Sequence, residues 1–290
     1  MKLPPFAYAC PTTLAEAIAA LTAHDGDAKL LAGGQSLLPM LAFRVASPSL
    51  LVDLRKLSEL RQITVTQDGV TLGAMVRWCE ILQDARLAKA HPLLVTAVEH
   101  VAHYQIRNRG TVGGSLAHAD PAAELPGIVV TCEATVAVAG RSGTRDIAAA
   151  DFFHGALTTA LKPDEIITAI RFPAWPARRR FGFAEFARRR GDFALAAAAL
   201  FYDEDGDGKA RNARVGAIGV ADRPLRLAAV EQLLNDRDID ATTIAAAEAA
   251  AAASVDPPDD IHAGGAYRKT LIGVMVERAL QSARLGSRHG

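Results

Sequence analysis

Two short glycine-containing segments hold the residues whose types and spacing point most directly to chemistry. The first runs Leu30-Leu31-Ala32-Gly33-Gly34-Gln35-Ser36-Leu37, with two glycines after an apolar run and two polar side chains behind them. Without Cβ atoms, such glycines can adopt positive φ and let backbone N–H groups converge on an anion. The segment is therefore a candidate pyrophosphate site, although a glycine pair after a strand is also an ordinary tight turn.

The second segment, Thr111-Val112-Gly113-Gly114-Ser115, places another glycine pair between hydroxyl residues. It leads into His118, Asp120 and Glu124, polar side chains that could recognise a ribose or an adenine. Two such turns could hold one elongated ligand from two sides, and a Cβ on their glycines is expected to collide with its phosphates. Neither segment fits GxGxxG or GxxxxGK(S/T), which disfavours a conventional Rossmann or P-loop nucleotide site.

The composition excludes several classes of function. The 290 residues include 32 basic and 32 acidic side chains, so no net charge draws the chain to nucleic acid or an anionic membrane. Its apolar runs are shorter than the roughly 20 residues that cross a bilayer, and its N-terminus lacks a secretory pattern. The sequence therefore predicts a cytoplasmic protein that binds no nucleic acid and has no membrane span. Cys10, Cys79 and Cys132 are isolated, whereas an iron–sulfur cluster normally takes four Cys ligands, so this chain alone is not expected to hold one.

Two patterns that could suggest a metal site have simpler interpretations. Residues 203–208 copy the start of an EF-hand loop, but Arg214 stands where the loop needs a bidentate Glu. His100 and His103 could share a helix face, yet no third ligand lies nearby in the sequence. We predict a hairpin turn and packing or surface histidines, and no metal site.

The elements that must position these residues begin with a capping box, Thr13 to Glu16, which predicts a helix ending near Gly26. Short apolar runs at 29–32 and 50–54 are typical of buried strands, and the first glycine pair directly follows the earlier one. Alternating residues around Asp68-Gly69 predict a hairpin, and helical periodicity extends from 77 to about 107 with a break near Pro92.

The closely spaced prolines between Pro173 and Ala177 mark the best domain boundary. We expect one domain over residues 1–177, with lobes of about 1–57 and 58–177, and a second over 178–290. The first should hold strands at 131–139, 144–147 and 165–172. The second should open with three antiparallel strands, at 181–189, 193–202 and 211–220, followed by helices at 226–235, 241–253 and 266–284.

Four stretches of the sequence stand in one order: the two glycine segments, residues His118 to Glu124 and residues Arg188 to Ala194. Together they resemble the FAD-binding medium subunit of molybdenum hydroxylases, the family of the xanthine and carbon monoxide dehydrogenase medium chains. The similarity runs in the same order over essentially the whole chain. Gly-Gly-Gln-Ser-Leu-Leu-Pro and Arg-Arg-Arg-Gly-Asp-Phe-Ala resemble above all the flavoprotein subunits of the quinoline and nicotine dehydrogenase type.

The resemblance implies an α+β fold, in which a two-lobed FAD-binding domain of the vanillyl-alcohol-oxidase-like (PCMH) type precedes a C-terminal three-stranded antiparallel sheet with helices. It implies that residues 30–37 wrap the pyrophosphate and flavin side of FAD, with donors from Gly33, Gly34, Gln35 and Ser36. The family often has a His where Gln35 stands, which puts a protonation role there in doubt. The other implied site residues are the second clamp Thr111 to Ser115, Glu124 on the adenosine portion with His118 and Asp120 beside it, the apolar walls Val101 and Ile167, and Arg107 near the phosphates.

The resemblance also implies electron relay within a complex. A large molybdopterin-binding subunit would hydroxylate an N-heteroaromatic substrate, and a small subunit with two 2Fe-2S clusters would pass electrons to FAD on this chain. FAD would then reduce an external electron acceptor, and the assembly would be a dimer of heterotrimers. The basic runs Arg178 to Arg180 and Arg188 to Arg190 are either solvated or contact a subunit or the flavin end. The alternatives are a self-sufficient flavin oxidase or dehydrogenase and a non-enzymatic nucleotide-binding module.

Overall fold

The computed structural model describes residues 2–286, and its first unit is a three-stranded parallel sheet in the order β1-β3-β2. The elements are β1 (Ala7–Ala9), α1 (Leu14–Thr22), β2 (Ala28–Leu31), α2 (Leu37–Ala42) and β3 (Leu50–Asp53). The predicted capping box is confirmed, because the Thr13 hydroxyl accepts from the Glu16 N–H at 3.2 Å and the Glu16 carboxylate accepts from the Thr13 N–H at 3.3 Å. The strand β2 ends at Leu31, opposite Asp53, so the first glycine segment begins at the carboxyl edge of this sheet.

The second unit is a five-stranded antiparallel sheet in the order β4-β5-β10-β6-β7, with helices inserted after its first hairpin. The predicted hairpin around Asp68-Gly69 is confirmed as β4 and β5. The elements are β4 (Ile63–Thr66), β5 (Gly69–Gly73), α3 (Trp78–Gln83), α4 (Ala85–Ala90), α5 (Pro92–His100), α6 (Tyr104–Arg107), α7 (Val112–His118), α8 (Glu124–Thr131), β6 (Thr135–Gly140), β7 (Gly143–Ala148), β8 (Phe153–Gly155), β9 (Thr158–Thr159) and β10 (Ile166–Pro173).

Two predictions in this unit need correction. The periodic stretch 77–107 is four short helices, and the break at Pro92 is one of three. The buried ring of His91 caps α5 there, where its Nδ1 accepts from the Leu94 N–H at 3.3 Å. The strand expected from residue 131 begins at Thr135 instead, because Thr131 is the last residue of the buried helix α8 and its hydroxyl donates to the Gly127 carbonyl at 2.7 Å.

The third unit is an antiparallel sheet covered by helices, in the order β11-β12-β13-β14. The three predicted long strands are present, and β14 adds a fourth, two-residue strand. No helix within residues 2–286 is long and apolar enough to cross a membrane. The elements are β11 (Arg179–Phe186), β12 (Ala196–Glu204), β13 (Ala210–Ile218), β14 (Leu225–Arg226), α9 (Ala228–Leu234), α10 (Ala241–Ala253) and α11 (Gly265–Leu285).

Both faces of this last sheet are buried. On β12, Ala197, Ala199 and Phe201 belong to the core that the sheet shares with the second unit. The alternate residues Ala196, Ala198 and Leu200 belong to the core beneath α9, α10 and α11. Because successive strand residues point to opposite faces, one strand supplies both cores. The predicted boundary at residue 177 lies between β10 and β11, and a continuous core crosses it.

Candidate functional site

The first glycine segment turns away from the end of β2 and packs against a distant part of the chain. Gly34 has φ +74°, a conformation that favours glycine. A Cβ on Gly33 would lie 2.3 Å from the Arg109 carbonyl oxygen, so only glycine allows this contact. The Gln35 side-chain amide donates to the Gly33 carbonyl at 2.9 Å. The segment is thus held by the Gln35 side chain and by its contact with Arg109, just before the second segment.

The second glycine segment is the start of helix α7, whereas a turn was predicted. The Thr111 hydroxyl caps the helix by accepting from the Gly114 N–H at 3.2 Å. Neither Gly113 nor Gly114 has positive φ. A Cβ on Gly113 would lie 2.6 Å from the Cβ of Ala74, so this glycine is required by helix packing.

The two segments lie side by side. Besides the contact between Gly33 and Arg109, a Cβ on Gly114 would stand 3.5 Å from the Cβ of Ala32. A backbone hydrogen bond also fixes the second segment to the residues that follow β5, since the Val112 N–H donates to the Val76 carbonyl at 2.9 Å. Together these contacts bring the two sequence motifs into one site.

Arg107 makes a contact that sequence reasoning did not anticipate. Its Nη1 donates to the carbonyls of both Val101 and Ala102, each at 2.8 Å. Ala102 has φ +43°, which is strained for a residue with a Cβ. Val101 and Ile167 are both buried in the core that the second unit shares with β12, here called the first core. Arg107 therefore holds the chain reversal that carries the predicted wall residue Val101.

The predicted polar residues lie at the junction of α7 and α8. His118 is the last residue of α7, and the Asp120 carboxylate accepts from the Ala122 N–H at 2.9 Å. Glu124 opens α8 and is only 5% exposed. Burial, with a smaller contribution from the negative charge of Glu185, raises the pKa of Glu124 to about 8. This carboxyl group is thus held largely protonated at neutral pH.

Glu185 is a site residue that sequence reasoning missed. It lies on β11, its side chain is 5% exposed, and its Oε2 is buried without a hydrogen-bond partner among residues 2–286. Its Oε1 is 3.8 Å from Nδ1 of His100, the last residue of α5. The only sequence signal was an acidic residue inside a predicted apolar strand.

The basic runs of the third unit have different surroundings. Arg179 donates to both oxygens of Asp203, at 2.8 and 3.0 Å, and Arg180 pairs with Glu204 at 2.9 Å. Residues 188–190 are exposed in the loop after β11. In the same loop Gly191 has φ +87°, and a Cβ there would lie 2.4 Å from the His103 ring. The Arg-rich loop therefore packs against the reversal that Arg107 holds.

No group of three or more metal-ligating side chains occurs in the part of the chain that the structure describes.

Comparison with known proteins gives matches over nearly the whole chain. The family model of the FAD binding domain in molybdopterin dehydrogenase matches residues 4–175, and that of the CO dehydrogenase flavoprotein C-terminal domain matches residues 181–283. The nicotine 6-hydroxylase medium subunit of Paenarthrobacter nicotinovorans is 38% identical, over 98% of this chain and 99% of that protein.

Two solved structures share the fold. A chain of quinoline 2-oxidoreductase from Pseudomonas putida 86 has a TM-score of 0.93 and 40% identity, over 98% of this chain and 99% of that one. A chain of carbon monoxide dehydrogenase from Hydrogenophaga pseudoflava has a TM-score of 0.95 and 35% identity, with the same coverage. The α+β fold expected from the sequence is therefore shared with these proteins.

Proposed function

This chain belongs to the FAD-binding medium subunits of molybdenum hydroxylases, and from that premise we propose that it relays electrons through an FAD held between its two glycine segments. The contact of Gly33 with the Arg109 carbonyl carries the proposal, because it brings the two segments together. FAD would bind with its pyrophosphate and flavin side along residues 30–37 and with residues 111–115 as a second clamp.

The chemistry of the residues present fits such a dinucleotide. The backbone turns at Gly34 with positive φ, which lets N–H groups face a phosphate. Glu124 is a buried carboxyl group with a hydrogen bond from its own backbone, and Glu185 has an acceptor oxygen without a partner among the described residues. Acceptors of this kind suit the hydroxyl and amino groups of FAD. His118 and Asp120 would lie beside them, and Val101 and Ile167 would be apolar walls.

Bound FAD would supply the redox chemistry, taking electrons from the 2Fe-2S clusters of a small partner and giving them to an external acceptor. The chain's own residues bind and orient the cofactor. The Gln35 amide fixes the Gly33 carbonyl, and Thr111 holds the first turn of α7. Arg107 keeps Val101 in place, which adds a positioning role to the phosphate role suggested by the sequence.

The partners in this proposal are a large molybdopterin-binding subunit and a small iron–sulfur subunit. The relatives support them, since one is named as a medium subunit of a nicotine 6-hydroxylase. We propose a dimer of such heterotrimers acting in the cytoplasm, with residues 1–177 as the FAD-binding domain and 178–290 as the C-terminal domain. An N-heteroaromatic substrate is favoured by the 38% and 40% identities to the nicotine and quinoline enzymes, against 35% to the carbon monoxide enzyme.

The experiment that tests this function is purification of the full chain with whatever polypeptides accompany it, followed by a visible spectrum and identification of the released cofactor. One FAD per chain, together with iron–sulfur absorbance from a partner, is the expected result. Turnover of substrate by the chain alone would favour a self-sufficient flavin enzyme. Tight nucleotide binding without a reducible flavin would favour a nucleotide-binding module. A chain that takes up no FAD on reconstitution, alone or with its partners, would overturn the proposal.

A further inference from the structure

Glu185 is a buried carboxylate without a sufficient partner. Its side chain is 5% exposed, and Oε2 lies out of contact with water without any hydrogen bond within residues 2–286. The nearest cation candidate is His100, whose Nδ1 is 3.8 Å from Oε1, beyond hydrogen-bond distance. A buried acceptor left unpaired destabilises the folded chain, so a partner from outside the chain is the simplest reason to keep one.

The position of Glu185 connects it to the proposed cofactor site. Helix α5, which ends at His100, packs against both α8, which begins at Glu124, and β11, which carries Glu185. The charge of Glu185 acts on Glu124, as does that of Asp120. Val101, the proposed wall residue, directly follows His100. Thus the third unit contributes an acidic group to a cluster otherwise built from the second.

The chemistry of the cluster selects its ligand. The negative charges of Glu185 and Asp120, which raise the pKa of Glu124, disfavour a phosphate or another anion at this point. No third metal-ligating side chain joins them in the described residues, which disfavours a cation site. Neutral hydroxyl groups both donate and accept hydrogen bonds, so they satisfy the Glu185 carboxylate and the protonated Glu124 alike.

We infer that Glu185 is a further cofactor-binding residue, which accepts hydrogen bonds from hydroxyl groups of FAD and makes the C-terminal domain part of the FAD site. The inference rests on the proposed function. The hydroxyl groups belong either to the ribityl chain or to the adenosine ribose, which offer the same chemistry.

The test compares Glu185→Met, which keeps the length of the side chain but accepts no comparable hydrogen bond, with Glu185→Gln, which keeps one carbonyl oxygen. FAD affinity is measured by titration of the flavin-free full chain, or of its complex where the chain binds FAD only there. We expect Glu185→Met to weaken FAD binding at least tenfold and Glu185→Gln to weaken it less. The matched control His100→Asn should leave FAD affinity within twofold of the original.

A second readout separates binding from folding. Because Glu185→Met removes an unpaired buried carboxylate, the flavin-free variant should unfold at the same or a higher temperature than the original chain. A lower unfolding temperature would show that Glu185 serves the fold, and unchanged FAD affinity would show that it contacts no ligand; either result overturns the inference. If FAD affinity is unchanged in Glu185→Met and the original chain binds FAD, the proposed function still holds.

Shorter ligands identify the source of the hydroxyl groups. FMN carries the ribityl chain and ADP carries the ribose, so the loss of affinity in Glu185→Met should appear with one of them and be small with the other. A loss with neither ligand, beside a loss with FAD, would point to an indirect effect and would also overturn the inference.

Discussion

Gly33 lies so close to Arg109 that a Cβ on the glycine would stand 2.3 Å from the Arg109 carbonyl oxygen. This approach joins the loop after the parallel sheet to the residues that lead into α7. From the sequence alone, a Cβ at this position was expected to collide with the phosphates of a ligand. In the structure the first obstacle is the protein's own backbone, so the glycine is needed for the site to assemble as well as to bind.

Gly33→Ala should therefore separate the two glycine segments. We expect the free energy of unfolding to fall by about 1–3 kcal/mol, as for other overpacked sites, and FAD content to fall with it. Denaturant unfolding and the flavin-to-protein ratio measure the two effects. The matched control is Gly206→Ala, since a Cβ on Gly206 has no neighbour within 4 Å. A Gly33→Ala protein as stable as this control would contradict the proposed role of the contact.

Arg107→Met tests whether Arg107 positions the chain reversal at Val101. The variant leaves two carbonyls without their charged donor, so the flavin-free chain should lose about 1–3 kcal/mol of unfolding free energy. If Arg107 served only to neutralise phosphates, stability would stay constant, while the salt dependence of FAD binding would decrease. Unfolding curves and FAD titrations at two salt concentrations distinguish the two roles.

Ala102→Gly tests the strain in the same reversal. The left-handed conformation at φ +43° destabilises a residue with a Cβ by about 1–2 kcal/mol, and glycine relieves this strain. The greater freedom of glycine in the unfolded chain offsets about 0.5–1 kcal/mol of that gain. The variant should therefore be more stable by up to about 1.5 kcal/mol. The same substitution at Ala246, exposed in the middle of α10, should have the opposite sign. Equal losses at both positions would exclude strain at Ala102.

The sequence predicted the elements whose signals are local. The capping box at Thr13 and the hairpin at Asp68-Gly69 are such signals, and both are confirmed. The start of α7 was taken for a turn, because Gly113 is there to admit Ala74, a neighbour that only the folded chain brings close. Glu185 was missed for the same reason, since the α5 residues that pack against β11, among them His100, come close to it only in the folded chain.

The pH dependence of stability should report on Glu124. Its pKa of about 8 in the folded chain lies above the ordinary 4.5, so its protonated form stabilises the fold fully below pH 4.5 and this stability is lost as the pH rises through 8. Glu124→Gln mimics the protonated form. The free energy of unfolding of the flavin-free variant should equal that of the original chain near pH 4.5. It should then exceed it by up to about 1.4 kcal/mol more for each pH unit toward pH 8.

Urea unfolding of both flavin-free proteins at pH 5.5, 7 and 8.5 measures this difference. Burial lowers the pKa of His91 to about 3, so stability from the neutral ring is present above pH 6.5 and is lost as the pH falls toward 3. This contribution is common to both proteins and cancels in the difference. Parallel stability curves across the three pH values would show that Glu124 titrates normally.

The two buried faces of β12 predict how the chain unfolds. Phe201 faces the core shared with the second unit, while Leu200 faces the core beneath the helices. Cutting the chain after residue 177 would expose the first of these faces, so residues 178–290 expressed alone should aggregate or remain partly unfolded.

In the intact chain, Phe201→Ala should lower the free energy of unfolding by about 3–5 kcal/mol and Leu200→Ala by about 2–5 kcal/mol, and both should shift one common transition. Urea unfolding is followed by far-ultraviolet circular dichroism and by tryptophan fluorescence. The fluorescence reports on the first core, because Trp78 belongs to that core and Trp175 packs against it. Two separate transitions, with Phe201→Ala shifting only one, would show that the sheet folds independently of the unit it covers.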